Sequence, residues 1–392
     1  MKWNKWMLAT VAGVMLLVGC TPSTKDDGEL TQEGTDAEEA ETTHIPSMQL
    51  SDNYYRTLVP YKESVTRGLV VSNLQTNYDI KEVENGLMRI SQNEFSTDEY
   101  YFQEGQYISQ NTVENWLARP NQTAKKGEDQ QGLNPSSVDE ETGEALDAIT
   151  RAEEAPVYLA HIVEQNYLKK TGDNKIALGG ISIGLAMNSV YYYQKEQYGE
   201  YYERKITDEE LKREGEKIAK QVIERLRKRE ELQNIPIVIG LFKQESKSSI
   251  VPGTYIQYAV SDAGKTSLND WKEIDEKYVT FPKSSPDDVY RAINDKFLEF
   301  KQDIDEYFSN TTSVIGTGFY QDGTIQKLEV DIPIQFFGTA EIIGFTQYLT
   351  GVMLDRLPND LPIVISITSV DGPEAFIKND PKEDEPFVHI YE

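Results

Sequence analysis

Apolar residues recur along this chain at two periods, and the switches between them mark its elements. Val83, Leu87 and Ile90 are three or four residues apart and predict a helix over about Ile80 to Ile90. Thr112 to Leu117 reads as a short helix ending before Pro120, because the residue before a proline avoids helical backbone. Leu159, Ile162, Val163 and Tyr167 share a face at helical spacing, which predicts a helix from Val157 to Leu168. Leu211, Ile218, Val222 and Leu226 do the same for about Asp208 to Lys228, where Thr207 and Glu210 form a capping-box signature. Val289, Ile293, Phe297, Phe300 and Ile304 predict a helix over Pro286 to Phe308. Ile343, Phe345, Leu349, Val352 and Met353 predict another over Ala340 to Leu357. Gly68 to Val71 reads as a short strand. Ile181, Ile183 and Leu185 alternate with Gly180, Ser182, Gly184 and Ala186, the period of one continuous strand with a small-residue face.

The pattern also repeats. Asn234-Ile235-Pro236-Ile237-Val238-Ile239 parallels Asp360-Leu361-Pro362-Ile363-Val364-Ile365, and a predicted helix precedes each. Each proline opens its strand, where a missing N–H is tolerated. A hairpin is expected before each helix, turning near Gly199 in the first copy and at Asp322-Gly323 in the second. Both copies therefore read strand-strand-helix-strand. The fold class is α+β, with two divergent repeats plus extra helices. The first repeat spans about residues 175–245, inside an N-terminal region 48–262. Residues 263–392 hold the second repeat and an acidic tail. Residues 119–140 are polar and read as a long loop, and 263–286 are turn-rich. The tail after Pro373 is expected to wrap or fray.

The N-terminus has a different logic. Lys2 and Lys5 precede an apolar run from about Met7 to Val18, and the chain's single cysteine follows in Leu17-Val18-Gly19-Cys20. The run is shorter than the roughly 20 residues a spanning helix needs. A basic start, a short apolar stretch and a small residue before a cut describe a signal peptide over residues 1–19. A cysteine at the cut resembles a bacterial lipoprotein signal, in which the Cys20 thiol takes a diacylglycerol. That implies a membrane partner reached through lipid, on the extracytoplasmic face. Residues 20–47 are acidic and poor in large apolar groups, and are expected to be a disordered tether.

Charge narrows the partners. The net charge is −27, and cleavage before Cys20 removes two lysines and no acid. Such a surface argues against nucleic acid and anionic headgroups. With Cys20 acylated, no thiol is left for a disulfide.

Candidate chemistry is sparse. Gly180-Ile181-Ser182-Ile183-Gly184 matches G-x-S-x-G, and Asp371 and His389 complete a Ser…Asp…His order for a serine hydrolase. The alternation around Ser182 favours a strand over the sharp strand-to-helix turn that a nucleophile elbow needs. His44, His161 and His389 lie at no metal-ligand spacing, and no cofactor motif is complete. No metal, cofactor or catalytic residue is expected. The 23 tyrosines cluster at Tyr54-Tyr55, Tyr100-Tyr101, Tyr191 to Tyr193 and Tyr201-Tyr202. Exposed, such rings suit carbohydrate or peptide contacts; buried, they serve strands.

Several long strings carry a family resemblance: Leu159-Ala160-His161-Ile162-Val163-Glu164-Gln165-Asn166-Tyr167, Asn174-Lys175-Ile176, and Gly180 through Tyr193. With the paired Pro-Ile-Val-Ile strands, they resemble the CamS-type sex-pheromone lipoproteins of Gram-positive bacteria. The resemblance implies an α+β architecture and an outer-face lipoprotein. It also implies an apolar pheromone peptide released from the signal segment, here matched by Gly13, Val14, Met15, Leu16, Leu17, Val18 and Gly19. The expected function is a non-enzymatic surface lipoprotein whose ectodomain binds a surface partner, a peptide or cell-wall carbohydrate. An extracytoplasmic ligand-binding lipoprotein is the alternative.

Overall fold

The computed structural model describes residues 30–32, 42–120, 132–139, 141–172, 175–307, 313–335 and 338–391. Cys20 and Gly13 to Gly19 lie outside the described residues, as does most of the 20–47 stretch expected to be a tether. Two short pieces of that stretch are described, β1 (Leu30–Gln32) and β2 (Thr42–Thr43).

The first sheet adds β3 (Arg56–Thr57), β4 (Tyr101–Glu104), β5 (Leu159–Gly172) and β6 (Lys175–Asn188). A separate hairpin follows, β7 (Val190–Gln194) and β8 (Tyr201–Lys205). β9 (Ile237–Gln244), β10 (Thr254–Ser261) and β11 (Lys272–Glu273) complete the first sheet. Its main path runs β11-β10-β9-β6-β5-β4-β3, with β1 joined to β6 and β2. The second sheet takes β12 (Glu276–Phe281), β13 (Ile315–Gln321), β14 (Thr324–Pro333), β15 (Ile363–Ser369), β16 (Gly372–Asn379) and β17 (Phe387–Ile390), in chain order. The helices are α1 (Arg67–Asn73), α2 (Asn77–Ser91), α3 (Gln110–Leu117), α4 (Ala148–Glu154), α5 (Asp208–Leu226), α6 (Asp288–Tyr307) and α7 (Thr339–Arg356).

The two sheets share an order of connections. In the first, β5 and β6 pair antiparallel, α5 carries the chain to β9 parallel to β6, and β10 returns antiparallel. In the second, β13 and β14 pair antiparallel, α7 leads to β15 parallel to β14, and β16 returns antiparallel. Pro236 and Pro362 sit just before their strands and play the same part. The Pro236 carbonyl accepts from the Ile181 N–H at 3.2 Å, and the Pro362 carbonyl from the Leu328 N–H at 3.0 Å.

Burial explains the departures from the sequence reading. Residues Val157 to Leu168 are not a helix: β5 is a strand buried on both faces. Ile162 joins the core under α3 and α5, while Val163 and Tyr167 join the core under α2. A strand covered on both sides loses its period of two and imitates helical spacing. Gly68 to Val71 is not a strand but the middle of α1. The hairpin turning near Gly199 exists, yet it forms its own two-stranded sheet; the hairpin entering the parallel pair is β5–β6. β11 and β12 lie in the turn-rich stretch 263–286, and the chain passes between sheets after Glu273. The tail after Pro373 does not fray but pairs as β16 and β17.

The helices at Ile80–Ile90, Thr112–Leu117, Asp208–Lys228, Pro286–Phe308 and Ala340–Leu357 stand as α2, α3, α5, α6 and α7, with ends shifted by a few residues at most. Thr207 caps α5 by accepting from the Glu210 N–H. Asp322 and Gly323, both at positive φ, make the β13–β14 turn. In the second unit, Phe297, Phe300 and Ile304 of α6 and Phe345, Leu349 and Met353 of α7 cover one sheet face, against Leu328, Val330, Ile363 and Ile365.

Candidate functional site

Ser182 lies midway along β6, paired with Gln165 on one side and Val238 on the other. Its hydroxyl is sealed from solvent and meets the Ser91 hydroxyl at 2.6 Å. Ser91 donates its own proton to the Leu87 carbonyl, so Ser182 is the donor in that pair. No imidazole accompanies it. Asp371 sits in the exposed turn after β15, and His389 on β17 stacks edge-on with Tyr391; both belong to the second unit. The structure does not bring the three together.

The glycines of the motif have a packing role. A β-carbon on Gly180 would run into the Phe95 ring, and one on Gly184 into the Tyr255 hydroxyl. Tyr255 fills a slot floored by Gly184 and flanked by Gly86 and Gly240, where an added β-carbon would lie 2.8 Å from its ring. Its hydroxyl donates to the Val83 carbonyl at 2.7 Å. The small face of β6 thus admits α2 and a whole tyrosine.

His161 is on β5 rather than a helix and is buried, with Nδ1 3.2 Å from the Asn73 amide. Burial pushes its pKa down to about 4, so the ring is neutral at pH 7. Among the described residues, no group of three or more histidines, cysteines and acids is placed to hold a metal ion. Glu164, inside the family-like string, is fully buried and anchors the approach to α3. Its carboxylate accepts from the N–H groups of Gln106 at 3.1 Å, Tyr107 at 3.0 Å and Ile108 at 2.7 Å. Burial raises its pKa and these bonds oppose the rise.

A buried charged cluster lies where the two units meet, and sequence reasoning missed it. Arg89, in the last turn of α2, forks onto Glu276 at the start of β12, with Nε–Oε1 2.8 Å and Nη2–Oε2 2.7 Å. Nη2 also donates to Glu82 at 2.6 Å, and the Tyr278 hydroxyl donates to the other Glu82 oxygen at 2.8 Å. The guanidinium lies 4.8 Å from the Phe319 ring centroid. Side-chain exposure is 30% for Arg89 but 7% for Glu82 and 2% for Glu276. Burial raises the Glu82 pKa against the opposing pull of Arg89 and Tyr278. Burial also works against the charge on Arg89, yet the two carboxylates hold its proton more firmly than usual. The seven-residue spacing of Glu82 and Arg89 is visible in the sequence, but their burial is not.

Beside this clasp is a cleft of about 310 Å³. Ile250 and Val251 line it from the first unit, and Lys277, Tyr278, Lys283 and Tyr290 from the second. That volume is at the small end for ligand sites. The tyrosine clusters divide between two fates. Tyr55, Tyr100 and Tyr101 are buried core rings, whereas Tyr191 to Tyr193, Tyr201 and Tyr202 stand on the β7–β8 hairpin.

Known proteins place this architecture. Residues 61–385 match the family described as CamS sex pheromone cAM373 precursor. A sex pheromone precursor from Lactobacillus salivarius subsp. salivarius UCC118 is 32% identical with a TM-score of 0.78, covering 89% of this chain and 99% of its own. The C-terminal domain of the sex pheromone staph-cAM373 precursor from Staphylococcus aureus is 33% identical with a TM-score of 0.69, covering 82% and 98%. No curated protein matches the chain. Family match and structural likeness, each spanning most of the chain, agree: the chain belongs to the CamS family of sex pheromone precursors.

Proposed function

We propose that this protein is a surface lipoprotein with two products. Cys20, acylated and made the new N-terminus, tethers the folded region outside the cell. The segment Gly13 to Gly19, cut from the leader, leaves as an apolar pheromone peptide. The observation that carries this reading is the Leu17-Val18-Gly19-Cys20 sequence at the head of a chain of the pheromone-precursor family. Among the described residues no helix is long and apolar enough to cross a membrane. In this reading the lipid on Cys20 supplies the attachment. Two acyl chains are about what stable anchoring takes. A seven-residue uncharged peptide is small enough to diffuse from the membrane to a receptor.

Mass spectrometry of the N-terminus tests the tether. A diacylglyceryl Cys20 is expected, and an unmodified Met1 start in cytosolic protein would end the reading. A synthetic Gly13 to Gly19 peptide tests the second product, with induction of plasmid transfer as the readout and no response at any concentration as the refutation. The folded region works in this account by binding. The sealed Ser182 hydroxyl supports that, and a fluorophosphonate probe is expected to leave the folded protein unlabelled.

A further inference from the structure

The β7–β8 hairpin packs Tyr191 against the first core and carries other rings outside the buried clusters. Tyr192, Tyr198 and Tyr201 belong to none of the buried clusters. Tyr192 pairs across the ribbon with Glu203, and Tyr201 with Gln194, which puts both rings on one face. The Lys247 ammonium lies over the Tyr192 ring, 4.3 Å from its centroid, and 5.9 Å from that of Tyr201, while the Lys247 backbone N–H donates to the Tyr192 hydroxyl at 3.1 Å; this holds half-buried Tyr192 in place with Lys247 between the two rings. On the opposite face Tyr191 and Tyr193 lie parallel at 6.1 Å. Tyr202 stands 5.7 Å from Tyr193 and is capped by Lys195 at 4.0 Å.

The tip is the second observation. Tyr198 adopts φ 64° and is 91% exposed. A bulky side chain in left-handed backbone is strained, and a glycine there would relieve it. Among the described residues the ring joins no core cluster that could repay that strain. Strain kept at an exposed aromatic directs attention to something outside the chain.

Charge selects the occupant. On a chain of net −27, the stretch from Val190 to Lys205 balances Lys195, Arg204 and Lys205 against Glu196, Glu200 and Glu203. A polyanion would ask for an excess of cations, and an anionic bilayer would meet the repulsion of the whole molecule. Tyrosine rings with their own hydroxyls and with lysine donors close by suit a neutral ligand with flat apolar faces and a polar rim. That is the chemistry of a pyranose. We propose that the β7–β8 hairpin is a saccharide-binding finger for an uncharged glycan strand of the cell envelope, stacking sugar rings on Tyr192, Tyr198 and Tyr201. This names the surface partner of the reading above. It relies on the extracytoplasmic address, not on acylation.

The test is co-sedimentation of the purified full chain with insoluble peptidoglycan stripped of its phosphate polymers. Saturable binding is expected. Tyr192→Ala with Tyr201→Ala should weaken it about tenfold or more, each tenfold being about 1.4 kcal/mol. Tyr198→Gly should also weaken binding while leaving the urea midpoint unchanged or higher, a combination that a merely structural role would not give. Unchanged binding in both variants would overturn the proposal. So would no binding to stripped peptidoglycan, or binding only to phosphate-bearing wall or to phosphatidylglycerol vesicles. The N-terminal mass reports separately on the tether, so the two readings can fail independently.

Discussion

Arg89→Ala is the most informative single change. It removes the cation shared by Glu82 and Glu276, whose side chains stay almost wholly buried. Truncating one partner of a buried ion pair costs about 3–5 kcal/mol, because the remaining charge is left without compensation. Arg89 itself is 30% exposed, and water entering its place will solvate part of that charge, so the lower figure applies. A loss of about 3 kcal/mol in a unit of this size lowers Tm by about 6–12 °C. The assay is urea unfolding of the native chain and the variant, followed by far-UV circular dichroism and tyrosine fluorescence. Because the clasp joins α2 to β12, the variant should also split one transition into two, with the second unit melting apart from the first.

The pH dependence gives an independent check on the same site. Burial holds the Glu82 pKa above its ordinary value of 4.5, and without Arg89 it rises further. A carboxyl with a raised folded-state pKa binds its proton more tightly folded than unfolded. Its cost to stability is therefore full above the raised value and fades as pH falls through that value towards 4.5. The deficit of Arg89→Ala should accordingly shrink on acidification, and Glu82→Gln in the variant background should recover part of it at pH 7. A single unshifted transition at pH 7, or a deficit that grows as pH falls, would refute the reasoning.

Other consequences can be measured on the same preparation. Gly184→Ala drives a methyl into the Tyr255 hydroxyl and should cost about 1–3 kcal/mol by urea unfolding, with Tyr255→Phe offsetting part of it in the double variant. His161 is neutral in the fold, at about 4 against 6.5 for the free side chain, so the unfolded chain binds the extra proton. Stability is therefore full above pH 6.5 and falls by up to about 3 kcal/mol towards pH 4, a slope that His161→Gln should remove. Thr207→Ala deletes the cap of α5 and should cost about 1 kcal/mol, with Thr207→Ser close to native.

Much of this chain can be read without its fold. The helices α2, α5, α6 and α7 announce themselves because each buries one stripe and wets the other. The Asp322-Gly323 turn is legible because few residues tolerate its backbone. The reading failed where burial is two-sided or where pairing is remote. β5 imitates a helix because cores press on both its faces, and α1 imitates a strand because its few residues show no period. β17 sits in an acidic tail whose local sequence gives no sign of the partner strand awaiting it.

The candidate sites divide along the same line. G-x-S-x-G is plain in the sequence, but only its neighbours decide whether glycine frees a nucleophile or makes room for Tyr255 and Phe95. The family, and the address proposed for the chain, lie in the linear order of residues, since a signal peptide would be read by sequence before anything folds. The clasp of Glu82, Arg89 and Glu276 joins residues far apart in the chain, and the exposure of Tyr198 depends on what fails to pack against it. Local pattern fixes local backbone and processing; which charges meet and which rings face water is decided by burial, a property of the whole molecule.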